Sequence, residues 1–60
     1  DLSGLDDTQK SICKLLKSGN MLVDEIAAKL GMDISDVLAQ LTELELYGTV
    51  KSYPGKMFGL

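Results

Sequence analysis

The stretch 33–48, DISDVLAQLTELELYG, constrains this 60-residue chain more than any other. Ile34, Val37, Leu38, Leu41 and Leu44 recur at the three-and-four spacing of one helical face. Asp33 ahead of them is a helix-capping residue, and Asp36 three positions on is the acidic half of a capping-box-like pair. Gly48 ends the run with the residue that enters a left-handed conformation at least cost. No other segment is long and apolar enough to be the spine of a small core, and this one holds no Lys or Arg. A chain of this length buries only about 60% of the surface its unfolded form exposes. One domain is therefore expected, without room for a deep cleft between subdomains.

The remaining segments supply partners for that spine. Residues 1–5 read as a loose lead-in, with Leu2 or Leu5 packing on the core. Asp6 caps a first helix and Gln9 takes the capping-box position. Ile12, Leu15 and Leu16 form its apolar stripe with Cys13 at the edge, and Lys10, Lys14 and Lys17 fall on the other side. Gly19-Asn20 ends it. Met21-Leu22 is long enough for one rung of a sheet formed elsewhere.

A second helix runs from about Val23 to Leu30, with Asp24 and Glu25 where the helix dipole favours acids. Its inward residues are Val23, Ile26, Ala27 and Leu30. Leu22 is a poor cap for it, unless Asn20 reaches over. Gly31-Met32-Asp33 is a tight connection into the third helix, the pattern of a helix-turn-helix. After Gly48, residues 49–53 have strand composition, Pro54-Gly55 makes a turn, and residues 56–60 return as a second strand. The fold class expected is mainly α with a small β-hairpin: three helices plus a wing, in winged-helix order.

Composition removes several functions. One Cys and no His exclude an internal disulfide framework and the usual zinc clusters. There is no Ser–His pair, no phosphate loop, and the paired acids Asp6-Asp7 and Asp24-Glu25 sit at helix starts, where capping explains them. The chain is expected to be non-enzymatic, without a cofactor, metal or small-molecule ligand. No apolar run approaches the roughly 20 residues of a membrane span, and no basic-then-apolar signal segment is present. A cytoplasmic protein without a membrane partner is expected, and the start at Asp1 leads to the expectation of a domain cut from a longer protein. Nine acids against six lysines give a net charge of −3, which argues against tight autonomous nucleic-acid binding while allowing a local basic patch.

The segment VDEIAAKLGMDISDVLAQLTELELYGTVKSYPGK resembles the C-terminal winged-helix domain of the DNA-processing protein A family (DprA, also called Smf). The likeness is carried by the acidic pair Asp24-Glu25, the turn at Gly31, the run Val37 to Gly48, and Tyr53-Pro54-Gly55-Lys56. It covers the chain from about Leu5 to Phe58. The resemblance implies a non-enzymatic accessory module of a single-stranded-DNA-binding protein of bacterial natural transformation, one that protects incoming strands and helps load a RecA-type recombinase. The family's main DNA-binding surface lies in a Rossmann-like domain outside this segment. Partners implied are DNA, bound weakly or through the rest of the protein, a RecA-type recombinase, or a second copy.

Two surfaces are candidates for such contacts. The outward face of the third helix offers Ser35, Ala39, Thr42, Glu43 and Leu46, a weakly polar strip suited to a protein partner. The blander alternative has Leu38 in the core and Leu46 covered by the wing or merely an ordinary exposed leucine. A DNA-reading helix would offer Arg, Lys, Asn or Gln there. The wing carries Lys51, Tyr53 and Lys56, where cations beside an aromatic suit a phosphate and a stacked base. The bland alternative is a solvated hairpin with Tyr53 or Phe58 packed on the core. Lys10, Lys14 and Lys17 add a cationic stripe on the first helix, a phosphate track or, as the blander alternative, a solvated face. Competing readings are the DNA-reading domain of a transcription regulator and a dimerising appendage.

Overall fold

The computed structural model describes residues 6–60; the expected packing of Leu2 or Leu5 lies outside them. Helix α1 spans Asp7–Leu16, strand β1 Met21–Leu22, helix α2 Val23–Leu30, helix α3 Ile34–Leu46, strand β2 Lys51–Tyr53 and strand β3 Met57–Gly59. The strands form one antiparallel sheet in the order β1-β3-β2. Three helices with a small sheet on one side is the arrangement the sequence predicts.

Local chemistry accounts for where the helices start. At α1 the Asp6 carboxylate accepts from the Gln9 N–H at 2.8 Å, and the Asp6 N–H donates to Gln9 Oε1 at 3.3 Å. The capping box is complete. At α3 the expected pair fails: Asp33 occupies the cap position, but its side chain makes no capping bond. Asp36 is one methylene shorter than the Glu or Gln that reaches back in a capping box, and its charge repels a second carboxylate. Leu22 caps α2 without a side-chain bond, and Asn20 does not substitute. The first N–H of α2, at Val23, donates instead to the backbone oxygen of Lys56 at 3.2 Å. The wing thus supplies an acceptor that the sequence before α2 lacks.

The ends of α2 and α3 share one device. Gly31 (φ 66°) and Gly48 (φ 80°) are left-handed. Met32 N–H reaches Ala27 O at 3.0 Å, and Thr49 N–H reaches Leu44 O at 3.0 Å, each paired with a bond from the glycine N–H itself. These are Schellman closures, which satisfy carbonyls that a helix end otherwise leaves open. The first sets the turn between α2 and α3. The second drops Val50 into the core immediately after α3.

The core is Ile12, Cys13 and Leu16 of α1, Val23, Ile26 and Ala27 of α2, Val37, Leu41 and Leu44 of α3, and Val50. Leu15, Met21, Leu30, Met32 and Phe58 pack against it. Each fully buried Leu, Ile or Val contributes about 1.5–3 kcal/mol relative to exposure. Two assignments change. Cys13 is 1% exposed, a core residue rather than an edge one. Ile34 and Leu38 are 45% and 40% exposed, not inward. At about 100° per residue, the arc centred on Val37, Leu41 and Leu44 leaves both on its shoulder, and α1 and α2 cover a narrower stripe than the apolar pattern spans.

Candidate functional site

The face of α3 opposite its buried arc carries Ser35, Ala39, Thr42 and Leu46, and all four are exposed. Leu46, at 81%, is not covered by the wing. Ile34 and Leu38 border this strip on one side, so a neutral, partly apolar surface runs the length of the helix. Its charges are three acids, Asp36, Glu43 and Glu45, and no cation. Two of the acids are held by hydroxyls. Tyr47 Oη donates to Glu43 Oε1 at 2.8 Å, and Ser52 Oγ donates to Glu45 Oε2 at 3.0 Å. The Glu43 hydrogen bond, and then its negative charge, push the Tyr47 phenol above its ordinary pKa. Such a helix meets phosphates with the wrong sign and offers base edges no Arg, Lys or Asn; its one Gln, Gln40, is half-buried with its Oε1 in the interior.

The wing has the opposite balance. Residues 47–60 hold Lys51 and Lys56 and no Asp or Glu. Lys51, Tyr53 and Lys56 are all exposed. Side chains alternate along a strand, so Lys51 and Tyr53 share the outer face of β2 while Ser52 turns towards Glu45 of α3. In the turn, Gly55 and Lys56 are both left-handed, at φ 85° and 60°. Lys56 is the sole non-glycine residue with positive φ among those described, and its conformation aims its carbonyl at Val23. Phe58 is the aromatic that packs on the core; Tyr53 remains 38% exposed.

Lys10 and Lys14 are exposed on α1, as is Lys17 at its end. Helix α1 packs on α2 and α3, whereas the wing strands pair with each other and with β1. The two lysine groups therefore belong to different elements. Cys13 carries no accessible thiol chemistry: burial pushes its pKa up, partly offset by the charge of Lys17. An open cleft of about 300 Å³ lies between the start of α1 and the end of α2, lined by Asp7, Thr8, Ser11, Leu30 and Met32. Among the described residues no group of three or more His, Cys, Asp or Glu is placed to hold a metal ion.

Several features were not read from the sequence. Gln9 is 2% exposed, with its Nε2 buried and unpartnered; the capping-box pattern signals the residue but not its depth. Leu22, Met57 and Tyr53 stand in register across all three strands. Beside them, a Cβ added at Gly59 would collide with the Asn20 amide and lie 3.2 Å from Tyr53 Cε2. That proximity depends on β3 lying between β1 and β2, which no local pattern encodes.

Three helices, a glycine-closed turn between the second and third, and a hairpin whose second strand pairs with a rung before α2 define a winged helix-turn-helix domain. The chain belongs to the DprA family: the family model described as the DprA winged helix domain matches residues 1–56. No curated protein and no solved structure matched the chain.

Proposed function

We propose that this domain is a non-enzymatic accessory module of a DprA-like DNA-processing protein, serving DNA uptake, natural transformation and recombination through protein contact. The contact surface is the neutral strip Ser35, Ala39, Thr42 and Leu46 of α3. The partner is a RecA-type recombinase, as the family resemblance implies, or a second copy of the chain. DNA contact is weak and confined to the wing and α1, or is made by the rest of the full-length protein.

The observation that carries this reading is the charge of α3: three acids, no cation, and an exposed leucine where a groove-reading helix presents donors. Fold alone does not assign the function; the side chains on the exposed face are what support this reading. The test is a titration of the chain with duplex and with single-stranded DNA at about 50 and 200 mM salt, where phosphate-driven binding falls steeply. Weak, sequence-independent binding that disappears at the higher salt is expected. Tight duplex binding that depends on sequence and persists at the higher salt overturns the reading in favour of a transcription regulator.

A further inference from the structure

The wing sheet ends in an open strand. The order β1-β3-β2 puts β2 at the edge, paired with β3 on one side. Lys51, Ser52 and Tyr53 are all exposed, and among the described residues no turn, loop or cap bond reaches their backbone. Alternate N–H and C=O groups along the outer side of β2 therefore form a template for another strand. The opposite edge offers less. Strand β1 has two residues and runs directly into α2, whose first N–H is taken by the Lys56 carbonyl.

Side chains leave the free side of β2 clear. The Tyr53 ring leans over Gly59 of the central strand, where an added Cβ would lie 3.2 Å from Cε2. It is thus drawn towards the middle of the sheet, away from the edge. Ser52, on the inner face, donates to Glu45 of α3 at 3.0 Å. On the outer face Leu22, Met57 and Tyr53 form one row, because Leu22 and Tyr53 both pair with Met57.

The chemistry of an added strand follows from these neighbours. Lys51 and Pro54 are residues of the kind that blunt a sheet edge against its own copies. An acidic strand meets the reverse situation, since residues 47–60 hold Lys51 and Lys56 and no Asp or Glu. Its outward residues alternate with inward ones. An acid suits the place beside Lys51, an apolar residue the place beside Tyr53, and a second acid the place beyond it, towards Lys56 in the turn. The residues between must be neutral, because an acid on the inner face would meet Glu45. A nucleic acid carries the charge but has no alternating donors and acceptors to match a strand edge.

We propose that the free side of β2 takes an acidic extended peptide as a fourth strand of the wing sheet, with acids beside Lys51 and Lys56 and an apolar side chain continuing the row Leu22, Met57, Tyr53. This surface is separate from the α3 strip, and the proposal does not rest on the reading of that strip. The probe is the peptide SDTVTDS, titrated at low salt into the isotopically labelled chain. Amide shifts centred on residues 51–53 are expected, with slowed hydrogen exchange there. Of two peptides methylated on alternate backbone nitrogens, the one whose methyl groups face β2 should not bind, and the other should bind as the parent does. Lys51→Glu should weaken binding about fivefold, with far-UV circular dichroism checking that the variant is folded. One of the singly exchanged peptides, SKTVTDS or SDTVTKS, should restore binding to that variant and so give the direction of the added strand.

No shifts at β2, equal binding by both methylated peptides, or a folded Lys51→Glu variant that binds as the parent does would overturn the proposal. Oligothymidine binding at β2 where the peptide does not bind would overturn it in favour of nucleic acid. Peptide shifts centred on residues 35–46 would overturn it while leaving α3 as the protein-contact surface, so the two readings fail separately.

Discussion

At the scale of single residues, the chain separates positions that hold the backbone from positions left exposed. Asp6 is of the first kind. Asp6→Ala removes an acceptor at 2.8 Å from the Gln9 N–H and should cost about 1 kcal/mol, read from thermal unfolding. Gly48→Ala forces a Cβ into φ 80° at the Schellman closure of α3 and should cost about 1–2 kcal/mol. Lys56 has the same conformation without being glycine, so Lys56→Gly should leave the fold intact and raise stability by a similar amount. Cys13 makes a prediction about pH. Its thiol pKa is raised in the folded state by burial, so the thiol form is favoured there. The stability this gives is present below the unfolded pKa, about 8.5, and is lost as pH rises towards the folded value. Melting temperature should fall above pH ~9, and Cys13→Ala should flatten the part of that fall due to the thiol. Another contributor of this sign is Tyr47, whose raised pKa acts higher in the range and should drop out in Tyr47→Phe.

At the scale of elements, the helices, the hairpin and the rung at Met21-Leu22 were legible, and the strand order and register were not. The spacing of Val37, Leu41 and Leu44 sets which way α3 faces, and Gly31 and Gly48 end their helices by a backbone preference that any sequence context shares. The capping box at Asp6 and Gln9 is equally local. By contrast, the exposure of Ile34 and Leu38 depends on how wide a stripe α1 and α2 cover, which periodicity does not state. The row Leu22, Met57 and Tyr53 depends on β3 pairing with both neighbours, across more than thirty residues of sequence between β1 and β3. The outward strip of α3 was legible because rotation from a buried arc is arithmetic; the pinning of Tyr53 above Gly59 was not, because it needs the register. These differences make a direct comparison within α3. Leu44→Ala should cost about 2–5 kcal/mol, since Leu44 is fully buried. Leu46→Ala, two residues on and 81% exposed, should change thermal stability by less than about 0.5 kcal/mol.

At the scale of the whole molecule, charge is arranged against the use to which this architecture is most often put. The chain carries a net charge of −3, with three of its nine acids on α3 and two of its six lysines on an acid-free wing. No helix among the described residues is long and apolar enough to cross a membrane. A domain of this shape that lays α3 in a DNA groove would bring Asp36, Glu43 and Glu45 towards phosphates, and Tyr47 and Ser52 hold two of those carboxylates in place. The exposed lysines lie on α1, on the wing and, as Lys29, in the last turn of α2. A helix α3 without cations and a wing without acids thus share one small fold. Amide chemical-shift mapping of the chain during a DNA titration reads whether α3 stays clear of nucleic acid, as proposed. Shifts are expected in the wing, residues 50–60, and on α1, with the amides of Ile34–Leu46 unmoved for both duplex and single strand. Shifts centred on α3, abolished by substituting Thr42 or Leu46 while the wing amides stay still, would contradict that proposal.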